Sequence, residues 1–161
     1  MIKTVNFEIP GNLVNLKLDK NQEQKLQNKL KAQYLAELAE QYALMICEKK
    51  FNQTFYRAKN NQKGWDIISA DNSIKIEIKQ TSCLGTKTHL SIGSTYTKKN
   101  LCTHIMILDF YNNEKISIIP QNEFFKSNFH GKKRLWRWSK DYNVKNQPKN
   151  TSLFLKYEIK L

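Results

Sequence analysis

Asp66, Glu77 and Lys79 are the residues whose types and spacing best suit chemistry in this chain. They lie in GWDIISADNSIKIEIKQTS, residues 64–82. Ile74, Ile76 and Ile78 alternate with Lys75, Glu77 and Lys79, the period of a strand with one buried face. Ala70-Asp71-Asn72-Ser73 reads as a turn joining this strand to one at about 65–69. With a symmetric loop, partner numbers sum to 143, which sets Asp66 opposite Glu77. Two carboxylates and one ammonium then share a face. Facing carboxylates destabilise a hairpin unless a cation stands between them. Magnesium suits that place: it takes hard oxygen ligands, keeps several waters and needs only one or two carboxylates. The expected ligands are Asp66, Glu77 and the backbone carbonyl of Ile78. Lys79 is then placed to orient the attacking water or to stabilise charge developing on a phosphate. The bland alternative is a solvated strand face.

Asp66, ten residues, then Glu77-Ile78-Lys79 resembles the PD-(D/E)xK nuclease motif. That superfamily includes many restriction endonucleases and Holliday-junction resolvases. The resemblance covers about residues 30–110 and rests on three or four positions. Trp65 stands where the motif carries Pro. The resemblance implies a core of one helix, three strands, a helix and a strand. It also implies Mg²⁺-dependent hydrolysis of phosphodiester bonds in double-stranded DNA, most like a small type II restriction endonuclease. Family members often add an acid from the first helix, for which Glu40 is the first candidate and Glu37 the second. Glu40 lies among Ala36, Ala43, Leu44 and Cys47, and a carboxylate on a covered face must be paired or on a metal. Gln80 and Thr81 follow Lys79, and Gln80 is expected beside the scissile phosphate.

The elements that must position these groups are legible in outline. Residues 4–18 read as two short strands around a Pro10-Gly11-Asn12 turn. Asp19 or Asn21 caps a helix of about 22–49. Leu26, Leu30, Tyr34, Leu38 and Tyr42 form one apolar stripe along it, with small residues on another side. Residues 51–58 read as extended. The strands at 65–69, 74–80 and 87–92 form the expected three-strand group, and 94–101 a short helix. THIMILDF, 103–110, is apolar on both faces and therefore central. KISIIP, 115–120, pairs with it, PQNEFF starts a helix, and SLFLKYEIKL closes the chain as a strand. The fold class is α/β, an α+β mixed sheet with a restriction-endonuclease-like core. We read 1–161 as a single nuclease domain, with a catalytic core at about 22–120 and a basic appendage at about 121–161.

Charge points to the partner. The chain carries 27 Lys+Arg against 14 Asp+Glu, a formal +13, and such a field recruits polyanions. Ten of the basic residues and two acids fall in the last 36 positions, around FHGKKRLWRWSKDYNVKNQPKN. Lys132, Lys133, Arg134 and Arg137 are the expected phosphate contacts there, with His130, Lys98 and Lys99 as weaker ones. Trp136, Trp138 and Tyr142 stack on bases or pack beneath the basic strip. Cys47, Cys83 and Cys102 form no CxxC or Cys/His cluster, which fits a reducing cytoplasm and excludes a disulfide framework. MIKTVNFEIP has no signal-peptide apolar run. No GxxxxGK[ST] or HExxH is present. A palindromic DNA target implies a homodimer. The competing readings are a repair, junction-resolving or toxin nuclease of the same superfamily, and a nucleic-acid-binding protein without catalysis.

Overall fold

The computed structural model describes residues 3–9, 12–59, 64–81, 89–91, 101–109, 115–127, 129–130, 135–137 and 148–160. Met1–Glu37 and Leu38–Leu161 form two compact units. In the first, β1 (Lys3–Ile9) and β2 (Asn12–Leu18) pair antiparallel from Lys3↔Leu18 to Ile9↔Asn12, the expected hairpin. Helix α1 (Lys20–Phe51) follows. Asp19 Oδ1 accepts the N–H groups of Asn21 and Gln22 at 2.8 and 2.9 Å, and Gln22 Oε1 accepts that of Asp19 at 3.0 Å. This reciprocal capping satisfies N–H groups that have no partner inside a helix, so Asp19, not Asn21, starts it. Asn52, at φ 50°, takes the left-handed conformation that ends many helices.

The helix leaves the middle of its Leu/Tyr stripe exposed, and only Tyr42 of it packs on the core. Leu30, Tyr34 and Leu38 are 44, 62 and 39 % exposed, whereas Ala39, Ala43, Ile46 and Cys47 are buried. Small side chains let the helix backbone approach the sheet, and Ile76, Ile78, Met106 and Leu108 complete that core.

The main sheet holds six strands. They are β3 (Phe55–Arg57), β4 (Ile67–Ser69), β5 (Lys75–Thr81), β7 (His104–Asp109), β8 (Lys115–Pro120) and β11 (Glu158–Ile159). Their spatial order is β11-β8-β7-β5-β4-β3. β3, β4 and β5 form an antiparallel meander, and β7 then lies parallel to β5. A parallel neighbour requires a long crossover, which occupies 82–103. β7 is central, as its two apolar faces require: Met106 and Leu108 join the core under α1, Ile105 and Ile107 the core on the other face. That second core is closed by Phe124 of α2 (Gln121–Lys126) and Phe154 of α3 (Pro148–Lys156). Burying each such Ile or Phe contributes about 1.5–3 kcal/mol.

Two expectations are corrected. The segment at 87–92 is not a strand of the main sheet. β6 (His89–Ser91) pairs with β10 (Leu135–Arg137), which also pairs with β9 (Phe129–His130). The third meander strand is β3, from the segment read only as extended. SLFLKYEIKL is not one strand either. Pro148 opens α3, a position that loses no hydrogen bond, and Asn150, Thr151 and Phe154 share its buried side. Only Glu158 and Ile159 remain to pair with β8. The expected helix at 94–101 lies outside the described residues apart from Leu101.

Candidate active site

The β4–β5 hairpin keeps the register read from the sequence, with Ile67↔Ile76 and Ile68↔Lys75. Its turn is held by side chains. Ser69 Oγ donates to Asp71 Oδ1 at 2.6 Å and accepts the Ile74 N–H at 2.9 Å, and Asn72 takes φ 62°.

At the open end the ladder changes. The Asp66 N–H donates to the Ile76 carbonyl at 2.8 Å, so Ile76 faces both Ile67 and Asp66. The Asp66 carbonyl accepts the Ala58 N–H at 2.7 Å. Its Oδ2 accepts the Ile78 N–H at 2.7 Å, taking the place a β4 carbonyl would have filled. Asp66 therefore sits in the gap where β4 leaves β5, tied to the strands on either side. Gly64 enters this bend at φ 97°, and a Cβ there would collide with Leu101. Trp65 packs on the core beneath α2 and lies 5.9 Å from Lys75 Nζ.

Glu77 and Lys79 are adjacent on one face of β5, in register with Ile105 and Ile107 of β7. Lys79 Nζ donates to Glu77 Oε1. Glu77 is buried, at 4 % exposure. Cys102, also buried, lies against it with the Glu77 N–H directed at its sulfur. Burial, then the charge of Glu77, pushes the Cys102 thiol up to about 12. Burial first, and Glu77 second, raise the Asp66 carboxyl to about 6; the Ile78 N–H and Lys79 oppose the rise, and Glu40 adds to it.

Asp66, Glu77 and Lys79 lie near one another, but Asp66 is not the cross-strand partner of Glu77 that the symmetric count predicted: its N–H bonds the Ile76 carbonyl and the regular pairing ends at Ile67. Glu40 is placed differently. It extends from α1, which packs on the face opposite Glu77, and Arg57 Nε donates to its Oε2 at 2.8 Å. Glu37 is exposed on the same helix. Gln80 continues β5, and its Oε1 is a buried oxygen with no hydrogen-bond partner. The Ile78 amide contributes its N–H to Asp66. Lys98, Lys99, Lys132, Lys133, Arg134, Trp138 and Tyr142 lie outside the described residues. Arg137 belongs to β10, opposite His89.

Two neighbours, Arg57 and Cys102, escaped the sequence reading, as did the burial of Asp109 farther along the sheet. Asp109 is buried at the end of β7, in register with Thr81 and Lys115. An acid closing an otherwise apolar strand was the available signal for it. Arg57 and Cys102 carried none, because both are brought in by tertiary contacts.

Among the described residues, no group of three or more His, Cys, Asp or Glu side chains could hold a metal. Asp66 and Glu77 supply two carboxylates, enough for an ion that keeps waters and takes a phosphate oxygen. A raised Asp66 carboxyl beside a second acid is also the electrostatic setting that a divalent cation relieves.

No protein-family model matches the chain, and no curated protein matches it. Among solved structures it is similar to a bacterial homing endonuclease, I-Ssp6803I, with a TM-score of 0.49 and 13% identity, over 76% of this chain and 82% of that one. No helix among the described residues is long and apolar enough to cross a membrane.

Proposed function

We propose that the chain is a Mg²⁺-dependent endonuclease that hydrolyses phosphodiester bonds in double-stranded DNA. One observation carries the reading: Asp66, fixed in the β4–β5 gap by the Ile78 N–H, lies beside the buried Glu77 and its half-buried partner Lys79 on the next strand. A protein seldom confines two acids beside one lysine unless a cation or a reaction uses them. The formal charge of +13 supports a polyanionic substrate.

Asp66 and Glu77 would hold the ion, with the Ile78 carbonyl as a further ligand. A bound Mg²⁺ polarises the phosphodiester and lowers the pKa of an attacking water. The chain's own groups do the rest. Asp66 must be ionised to serve, so its proton leaves as pH rises through about 6. Lys79, held near Glu77, stabilises the negative charge that grows on the phosphate oxygens. Two main-chain hydrogen bonds fix the Asp66 backbone, and the Ile78 N–H holds its carboxylate in place before substrate arrives. In the finer form of the proposal the enzyme is sequence-specific, of the type II restriction kind, and a homodimer cuts both strands of a palindromic target.

The test is cleavage of supercoiled plasmid and long linear DNA, with Mg²⁺ and with EDTA, beside Glu77→Gln and Lys79→Ala. Discrete Mg²⁺-dependent fragments, missing in both variants, are expected. Fragments without discrete ends would point to a repair or toxin nuclease at the same site. Intact duplex, branched DNA and tRNA, with binding indifferent to EDTA, would sink the catalytic reading.

A further inference from the structure

We propose that Arg57 grips a phosphate of the substrate strand beside Asp66, and that Glu40 is its positioning residue and not a metal ligand. This rests on the hydrolytic reading above. Arg57 closes β3, the edge strand of the main sheet, and is 43 % exposed at its side chain. Its Nε and one Nη both donate to a single oxygen, Glu40 Oε2. A guanidinium has five N–H donors. Among the described residues, no other acceptor takes the remaining ones.

Stability does not account for the pair, because exposed ion pairs add little. Its position is more telling. Arg57 pairs with Ile67, and the next residue, Ala58, donates its N–H to the Asp66 carbonyl. The Arg57 backbone therefore lies one residue from the contact that fixes Asp66, and its guanidinium is held on the α1 side by Glu40, whose charge reaches the Asp66 carboxyl. A phosphodiester approaching Asp66 and Glu77 meets two carboxylates, and Lys79 is already paired with one of them. An arginine with spare donors offers a rigid fork matched to phosphate oxygens. Glu40 holds that fork in one orientation, which lowers the cost of ordering it on binding.

The experiment uses the full chain with Arg57→Gln, Arg57→Lys and Glu40→Gln. Lys31→Gln, which removes one exposed charge on α1, is the comparator. Duplex affinity is read by fluorescence anisotropy in Ca²⁺ across a salt series. Thermal midpoints are read with and without Mg²⁺. Arg57→Gln is expected to weaken binding about tenfold and to make the log–log salt slope shallower by about one. Arg57→Lys recovers part of the loss. Glu40→Gln weakens binding by less, keeps the Mg²⁺-induced rise in midpoint, and adds nothing to Arg57→Gln.

Arg57→Gln behaving like Lys31→Gln would remove Arg57 from the site. Loss of the Mg²⁺-induced rise in Glu40→Gln would make Glu40 a ligand after all. A wild-type protein that neither cuts DNA nor responds to Mg²⁺ would overturn the hydrolytic reading, a result separate from the Arg57–Lys31 contrast.

Discussion

The two ends of the β4–β5 hairpin each hold an aspartate, and the two are perturbed in opposite directions. At the turn, Asp71 is exposed and receives hydrogen bonds from the Ser69 hydroxyl and from the Ser73 amide and hydroxyl. These lower its carboxyl below the usual range, the Ser69 bond most of all. At the open end, Asp66 is largely removed from water beside another acid, and its carboxyl rises to about 6. The same residue type thus builds the fold at one end and strains it at the other. Asp71 is satisfied by its neighbours, whereas Asp66 is held where ionisation is costly, the setting in which functional groups are tuned.

The largest effect expected from breaking this contrast is on cleavage. Asp66→Asn keeps an oxygen for the Ile78 N–H but loses the ligand charge, so cleavage should fall about a thousandfold. A plasmid-nicking time course measures it, and near-normal cutting would place the chemistry elsewhere.

The same substitution should stabilise the metal-free protein. A raised carboxyl pKa contributes stability that is fully present below about pH 4 and is lost as pH rises through about 6. A shift from 3.8 to about 6 corresponds to about 3 kcal/mol across that window. Asp66→Asn removes the ionisation, so its urea midpoint should exceed that of wild type at pH 7.5. The advantage should shrink at pH 4. Equal midpoints at both pH values would mean that Asp66 bears no strain.

The smallest effect belongs to the turn. Ser69→Ala deletes the donor to Asp71 and leaves the Ile74 N–H without its acceptor, at a cost of about 1–2 kcal/mol. Cleavage by the folded variant should be unchanged. If cleavage fell further than the folded fraction, the two ends would not be independent.

The hairpin was legible because alternation and a short turn fix its register, and Ile67↔Ile76 follows from counting residues. β7 was legible because only a central strand tolerates apolar residues on both faces. Other features depended on partners that local pattern does not name. The Leu/Tyr stripe of α1 has the helical period, yet the helix buries its alanines, since close approach to the sheet favours small side chains. His89–Ser91 has strand-like residues, but it pairs with a segment more than forty residues later. Residues 148–156 hide a helix behind neighbouring leucines, and Pro148 was the missed start signal. Asp66, Glu77 and Lys79 could be read as one group because a single hairpin segment supplies all three. The Arg57–Glu40 bond joins residues on different elements, and sequence spacing does not reveal it.

The buried Cys102 has a practical consequence. Its thiol stays protonated far above neutral pH and is shielded from solvent, so a thiol-reactive reagent meets it only when the structure opens. Cys47 is likewise buried, on the sheet-facing side of α1, with a thiol also pushed up to about 12. With Cys83 replaced by Ser, the labelling rates of these two sulfurs become separate clocks. One times the loosening of the helix from the sheet, and the other times the opening of the floor under Glu77. Added Mg²⁺ should slow the second clock more than the first.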